Sequence, residues 1–172
     1  MRLIDALHPA SSRIRPWTLF FAHPCLPLAQ AEAHPDRHGT AEASAQQAIA
    51  DHASEITDAY AVLKAPHSRA THLLELLGAP LDEDTGGEVL GPGFLMQVME
   101  VREELEEAGS RTEVLRDLLE ANQASIAELL EQLIPAFDDA AAADLERARM
   151  LTAQLQYLNK IDEEITKRLP VE

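Results

Sequence analysis

Three side chains near the start of the 172-residue chain could carry chemistry: the imidazoles of His34 and His38 and the carboxylate of Asp36. Their alternation would suit a metal ion held along an extended strand, where every second side chain points the same way. Pro35 disrupts such a strand, and neither a cysteine nor a further carboxylate cluster lies beside it. We therefore predict no metal site, and a metal-dependent hydrolase built on these three residues is the weakest alternative.

The tripeptide His34-Pro35-Asp36 also has the sequence of a rigid turn. Proline fixes its own φ angle and pushes His34 toward an extended conformation. Asp36 can close the turn by accepting hydrogen bonds from nearby backbone amides. Such a turn presents an imidazole and a carboxylate at low entropic cost to an arginine or lysine of a partner. The residue types indicate protein recognition, while an ordinary loop turn is the alternative for the tripeptide taken alone.

No other arrangement in the sequence indicates catalysis. It contains no paired nucleophile and base, no glycine-rich phosphate loop and no HExxH spacing. Cys25 is the single cysteine, so one chain can form neither an internal disulfide nor a multi-cysteine cluster site. We predict a protein that is not an enzyme and has no cofactor of its own.

Charge is distributed unevenly along the chain. Residues 1–38 carry a net charge of +1, whereas residues 39–172 carry −17. The total of −16 argues against a nucleic-acid partner, because phosphates require a basic face. The sequence has no run of eighteen apolar residues, so we expect no membrane-spanning segment.

A helical pattern of apolar residues follows the His34-Pro35-Asp36 turn. The composition is 46% hydrophobic but only 4% aromatic, which favours helices packed through aliphatic side chains over a β-sandwich. Apolar residues recur at helical spacing from Ile49 to Leu63, and Pro66 is expected to end this helix. A short second helix is predicted from about Arg69 to Leu77, with Gly78 at its C-terminal end.

Composition divides the chain into four predicted regions. Residues 1–28 form an irregular head, rich in arginine and proline, that is either non-native or targeting-like. Residues 29–78 form a helical region, and residues 79–93, with their glycines, prolines and acids, form a linker. Residues 94–169 are predicted to be an antiparallel three-helix bundle, because three long amphipathic segments follow one another with short connections.

Each bundle helix has one apolar face. The helices are expected at about Phe94–Ala108, Ser110–Ile134 and Ala141–Leu169, with Pro135 and the Asp138-Asp139 pair separating the last two. Tyr157 on the last helix is either a core aromatic with a solvent-facing hydroxyl or an interface anchor. The expected core positions of the second and third helices are Leu115, Leu118, Leu119, Ile126, Leu129, Leu130, Leu133, Leu151, Leu155, Leu158, Ile161 and Ile165.

The first bundle helix carries a second apolar face. Its predicted core face is Phe94, Val98, Val101 and Leu105, which fall in one narrow stripe. A Met-rich face edged by acids suits an adaptable partner surface, although a neighbouring helix or the N-terminal region could cover it, and it could also support self-association. The residues of this second face are Leu95, Met96, Met99, Glu100, Glu103 and Glu107.

Several stretches together resemble one family, the HscB-type J-domain co-chaperones. The most specific of them is the block from Phe94 to Leu105, which looks like the first helix of that family's C-terminal domain. The resemblance covers about residues 34–168. The other matching stretches are His34-Pro35-Asp36-Arg37, Ile56–Leu63, Pro66, Arg69–Leu74 and Leu155–Ile161.

The resemblance implies an all-α fold: a J-domain-like helical hairpin whose first helices are degenerate, then the three-helix bundle. It further implies a co-chaperone of iron–sulfur cluster assembly that stimulates a DnaK/HscA-type ATPase chaperone through His34, Pro35 and Asp36. The bundle would bind an IscU-type scaffold protein. The scaffold would hold the cluster, since this chain has only one cysteine and cannot form a multi-cysteine cluster site. The positions matching the scaffold-binding surface are Leu95, Met96, Met99, Glu100, Glu103, Glu107 and Tyr157.

The stretch before His34 departs from the family pattern. The family's helix at this place is rich in arginine and lysine, whereas residues 25–33 contain no base. Either the head has diverged or Met1 is not the native N-terminus. The alternative function is therefore a helical adaptor that binds a partner through its bundle while the J-like head is inactive. We expect an intracellular protein, in the mitochondrial matrix of a eukaryote or the cytoplasm of a bacterium.

Overall fold

The computed structural model describes residues 43–81, 86–138 and 144–170, and within them every regular element is an α-helix. The predicted all-α class is confirmed. The chain divides into two compact units, Met1–Arg69 and Ala70–Glu172. Within the described ranges no helix is long and apolar enough to cross a membrane. The helices are α1 (Ala43–Lys64), α2 (Pro66–Leu76), α3 (Gly86–Ala108), α4 (Thr112–Asp138) and α5 (Leu145–Arg168).

Pro66 begins a helix as well as following one. Only Ala65 separates α1 from α2, and Pro66 is the first residue of α2, so the predicted start at about Arg69 is too late. Proline suits this position because the first turn of a helix leaves its N–H groups unpaired and needs the φ angle that proline already has. Arg69 then supports the end of α1, since its Nη1 donates a 2.7 Å hydrogen bond to the Leu63 carbonyl. Burial lowers the pKa of Arg69.

Gly78 ends α2 as its sequence predicts. Its φ angle of 75° is one that a residue with a side chain rarely adopts. The Gly78 amide donates to the Glu75 carbonyl at 3.2 Å, and the Ala79 amide donates to the Leu74 carbonyl at 2.9 Å. These two bonds are the pair of a Schellman motif, which satisfies the last carbonyls of a helix.

The last three helices form the predicted antiparallel three-helix bundle. The helix α5 packs along both α3 and α4, most extensively along α4. Ring contact between Phe94 and Tyr157 near the start of the α3–α5 contact, and an ion pair between Glu106 and Arg168 near its end, show that α3 and α5 run parallel. The buried core where α3, α4 and α5 meet comprises Val98, Leu105, Ala108, Leu115, Ile161 and Ile165.

The helix α3 starts at Gly86, inside the segment predicted to be a linker, rather than at Phe94. Its helical geometry is interrupted at Gly91, where φ is 72° and ψ is 154°. Only glycine adopts this conformation readily, and no atom within 4 Å would meet an added Cβ, so backbone conformation alone requires glycine here. Pro92 follows directly and suits the first turn of the renewed helix. Leu90, before the interruption, is buried.

Pro135 does not end α4, contrary to the sequence prediction, because the helix continues through it. The helix ends at Asp138, the first residue of the Asp138-Asp139 pair at which a break was also predicted. Proline removes one helical hydrogen bond, but Ala136 and Phe137 in the turn that follows are buried, which favours continued helix. Leu130 is only half-buried, while its neighbour Leu129 is buried.

The helix α5 begins at Leu145 rather than near Ala141. Asp144 is its N-cap, and the carboxylate accepts a 3.1 Å hydrogen bond from the Arg147 amide. A capping carboxylate satisfies one of the unpaired amides of the first turn and complements the helix dipole.

Candidate functional site

The inner face of α3 lies where its sequence predicts. Val98 and Leu105 are buried, and Phe94 and Val101 are partly buried against the same core. These positions recur at three- and four-residue spacing, which places them on one stripe of the helix. Burial of this stripe against α4 and α5 fixes which side of α3 faces outward.

The outer face of α3 is exposed. Met96 and Met99 keep 62% and 61% of their surface accessible, a large share for residues of this size and apolar character. Leu95 is half-buried, and Glu100, Glu103 and Glu107 are exposed. The described helices of the bundle therefore do not cover the two methionines, and the predicted second apolar face exists as a surface.

Tyr157 of α5 stands beside the start of this face. Its side chain is half-buried and packs against the bundle core. Its ring meets the Phe94 ring edge to face, with centroids 6.4 Å apart and planes at 89°. The Nζ atom of Lys160 lies 5.7 Å from the centre of the same tyrosine ring. Tyr157 thus has both a core contact and an accessible part, and it combines the two alternatives that the sequence left open.

Helical geometry connects the outer face of α3 to α5. With Phe94 as reference, Leu95, Glu106 and Met99 lie about 100°, 120° and 140° around the α3 axis, so they share one flank. Arg168 of α5 forms an ion pair with Glu106, so this flank borders α5. We call the surface formed by Leu95, Met96 and Met99 of α3 with Tyr157 and Lys160 of α5 the α3–α5 surface.

The acids Glu100, Glu103 and Glu107 lie on the side of α3 away from α5. Their positions are about 240°, 180° and 220° from Phe94, beyond Met99, and Met96 at about 200° lies between Glu103 and Glu107. The α3–α5 surface therefore has apolar residues next to α5, acids around Met96 on the far side of α3, and the ammonium group of Lys160 on α5. This mixture suits a protein partner, since apolar area contributes affinity and the flanking charges select orientation.

Two arginines support the end of α3, whose last turn contains no basic residue. Arg168 donates from Nη1 to the Leu105 carbonyl at 2.9 Å and from Nη2 to Glu164 at 3.0 Å, in addition to its pairing with Glu106. Arg111 donates to the Glu107 carbonyl at 2.6 Å. Positive charge at a helix C-terminus opposes the negative end of its dipole.

The hydrogen bond with Glu106 raises the pKa of Arg168, and the charges of Glu106 and Glu164 act in the same direction. The ion pair joins residues 62 positions apart in sequence. Sequence reasoning missed Arg168 for this reason, because an isolated arginine at the end of a helix carries no signal of its distant partner.

The predicted chaperone-activating loop, His34, Pro35 and Asp36, lies outside the described residues, as do the head at residues 1–28 and His38. Their roles stay predictions from the sequence. In the ranges that the structure does describe, no group of three or more histidine, cysteine, aspartate or glutamate side chains is placed to hold a metal ion.

Known proteins match this chain over most of its length. A family model described as the HSCB C-terminal oligomerisation domain matches residues 90–166. A Pseudoalteromonas atlantica relative, named as a co-chaperone protein HscB homolog, is 36% identical over 135 residues, or 77% of each chain. The human iron-sulfur cluster co-chaperone protein HscB is 30% identical over 139 residues, 80% of this chain and 57% of the human protein. The solved structure of chaperone HscB from Vibrio cholerae matches with a TM-score of 0.72 at 26% identity, covering 97% of this chain and 96% of that one.

Proposed function

The chain belongs to the HscB family of co-chaperones, and we propose that it serves iron–sulfur cluster assembly by delivering an IscU-type scaffold protein to a DnaK/HscA-type ATPase chaperone. The bundle binds the scaffold through the α3–α5 surface, and the His-Pro-Asp loop stimulates the ATPase. The co-chaperone itself catalyses no reaction. It acts inside the cell, in the cytoplasm of a bacterium or the mitochondrial matrix of a eukaryote.

One observation supports scaffold binding above the others: Met96 and Met99 are exposed beside the half-buried Tyr157. Full burial of a methionine side chain contributes about 1.5–3 kcal/mol, so leaving two of them in water forgoes stability that a partner can recover. Unbranched methionine also adapts its shape to a partner, and tyrosine is enriched among residues that dominate binding energy.

The cluster is cargo in this proposal. The name of the human relative links that protein to iron–sulfur clusters. Since the chain has only Cys25, it lacks the set of thiolates that usually holds such a cluster. The cluster ligands therefore belong to the scaffold, and this chain contributes a protein-binding surface.

Scaffold binding is tested by replacing both exposed methionines with serine. The Met96→Ser, Met99→Ser double variant should lose about 2 kcal/mol or more of affinity for the IscU-type scaffold in calorimetric titration, as expected for central interface residues. Leu76→Ser is the matched control, because Leu76 is also a large exposed apolar residue but lies on α2. The control should bind as the parent does. Equal affinity of the double variant and the parent would remove the α3–α5 surface from the proposal.

Chaperone activation rests on the loop and on the bases that precede it in relatives of this type. His34 and Asp36 can form charge-assisted hydrogen bonds with the chaperone, which are individually strong. Gln30 and Glu32 supply no positive charge for an acidic chaperone surface, and Glu32 repels it. We therefore expect measurable but weak stimulation of the ATPase.

Steady-state ATPase measurements with the cognate chaperone test this part. Stimulation should disappear in Asp36→Asn and rise when Gln30 and Glu32 are both changed to arginine, while scaffold affinity stays the same in all three proteins. Full stimulation by Asp36→Asn would mean that the loop is only a turn. The adaptor function, with scaffold binding through the bundle and an inactive head, would then replace the co-chaperone mechanism.

A further inference from the structure

Lys160 places a positive charge on the α5 border of the α3–α5 surface. It is exposed and lies one helical turn after Tyr157, with Nζ 5.7 Å from the centre of the tyrosine ring. The chain as a whole carries a net charge of −16. Lys160 is therefore a positive group beside Tyr157 in a protein whose net charge is strongly negative.

The charge of Lys160 is not used within the bundle. Over the described residues, Nζ of Lys160 forms no ion pair, and its recorded contact is the tyrosine ring. The two basic residues that follow on α5 are both paired. Lys167 lies 3.6 Å from Glu163, and Arg168 pairs with Glu106 and Glu164. Lys160 is therefore the base at this end of α5 with a charge available to a partner.

Tyr157 does not depend on Lys160 alone for its position, since the Phe94 ring already contacts it. A cation over an aromatic ring contributes only about 0.5–1 kcal/mol at an exposed site. The contact has a second effect: it favours positions of the flexible lysine in which the ammonium group lies near the ring. A charge held in advance loses less conformational entropy when it pairs with a partner.

We infer that Lys160 pairs with a carboxylate of the IscU-type scaffold and thereby sets the orientation in which the scaffold docks; this inference rests on the proposed function. The acids Glu100, Glu103 and Glu107 border the opposite side of the same surface and select basic groups of the scaffold. Opposite charges on the two borders of an apolar centre favour one orientation of a partner over the reversed one.

The test is calorimetric titration of the full chain with the apo scaffold, using Lys160→Met, Lys160→Arg and the matched control Lys167→Met. Lys160→Met should weaken binding about tenfold, the loss expected for one close interfacial charge pair. Lys160→Arg keeps the charge and should bind nearly as the parent does. Lys167→Met removes a paired charge elsewhere on α5 and should leave affinity unchanged or slightly raise it.

Whether Lys160→Met binds the scaffold more weakly or more tightly distinguishes a local ion pair from long-range electrostatic attraction. Removing any lysine makes the chain more negative, which strengthens long-range attraction to a scaffold that meets the acids of α3. Without a local carboxylate partner, Lys160→Met would thus bind equally or more tightly. Weaker binding shows a local effect of Lys160, and equal or tighter binding overturns the inference.

Charge reversal at Lys160 distinguishes an ion pair with the scaffold from an indirect effect of Lys160 through the Tyr157 ring. Lys160→Glu should bind poorly, and reversal of one scaffold acid to lysine should restore its affinity. If no single reversal among the surface acids of the scaffold restores it, Lys160 acts through Tyr157 and the inference is wrong. Tyr157→Ala distinguishes failure of the proposed docking surface from failure of the inference about Lys160. If that variant binds as well as the parent, the proposed docking surface itself fails, whereas weak binding by Tyr157→Ala with normal binding by Lys160→Met removes only the inference.

Discussion

The two faces of α3 differ although they belong to one helix. Val98 and Leu105 on the inner face keep 6% and 1% of their surface exposed, while Met96 and Met99 on the outer face keep 62% and 61%. The inner face uses branched side chains with few rotamers, which pack to one arrangement. The outer face uses flexible methionines. The inner face therefore packs the bundle, while the outer face keeps the methionines accessible, as the proposed scaffold binding requires.

The largest expected effect separates the two faces by stability. Leu105→Ala should lower the free energy of unfolding by roughly 2–5 kcal/mol, because it leaves a cavity in the core. Met99→Ala, on the outer face, should change it by less than about 0.5 kcal/mol. Urea unfolding followed by circular dichroism measures both. Similar losses in the two variants would mean that the outer methionine is also a core residue and that the comparison is false.

A smaller effect is expected at Asn122, the polar exception among the buried positions of α4. Asn122 keeps 7% of its surface exposed, and its Nδ2 donates a 3.0 Å hydrogen bond to the Leu158 carbonyl of α5. Asn122→Ala should cost about 1–2 kcal/mol of stability through the lost bond and side-chain contacts. The exposed neighbour Gln123 is the control, and Gln123→Ala should be near neutral in the same urea titration. A neutral Asn122→Ala would show that the bond to α5 adds nothing to the bundle.

Proline was an incomplete guide to the helices. Pro66 follows the end of α1 as expected but also starts α2, and Pro135, which was expected to break the chain before the last helix, lies inside α4. Proline lacks an N–H group and has a fixed φ angle, and those two properties suit the first turn of a helix as well as the residue after one. Inside α4, burial of the following Phe137 outweighs one missing hydrogen bond.

Glycine was a better guide, because its meaning is tied to a backbone angle. Gly78 was expected at the end of α2 and has a φ angle of 75°, and Gly109, the residue after α3, has a φ angle of 56°. Gly91 was placed in a linker, and the structure shows a single residue of unusual geometry between two helical segments. A glycine in the sequence marks where φ can be positive. The helical segment before Gly91 was not evident, because acids and glycines surround it in the sequence.

The sequence by itself determined the helical class, the inner face of α3 and the buried positions Leu151, Leu155, Ile161 and Ile165 of α5, because helical periodicity is a local property. Tertiary structure alone decided which distant groups meet. The bond from Asn122 to Leu158 spans 36 positions, and the pairing of Glu106 with Arg168 spans 62. Contacts of this range depend on the register and direction in which packed helices cross, and no local pattern of residues encodes that register.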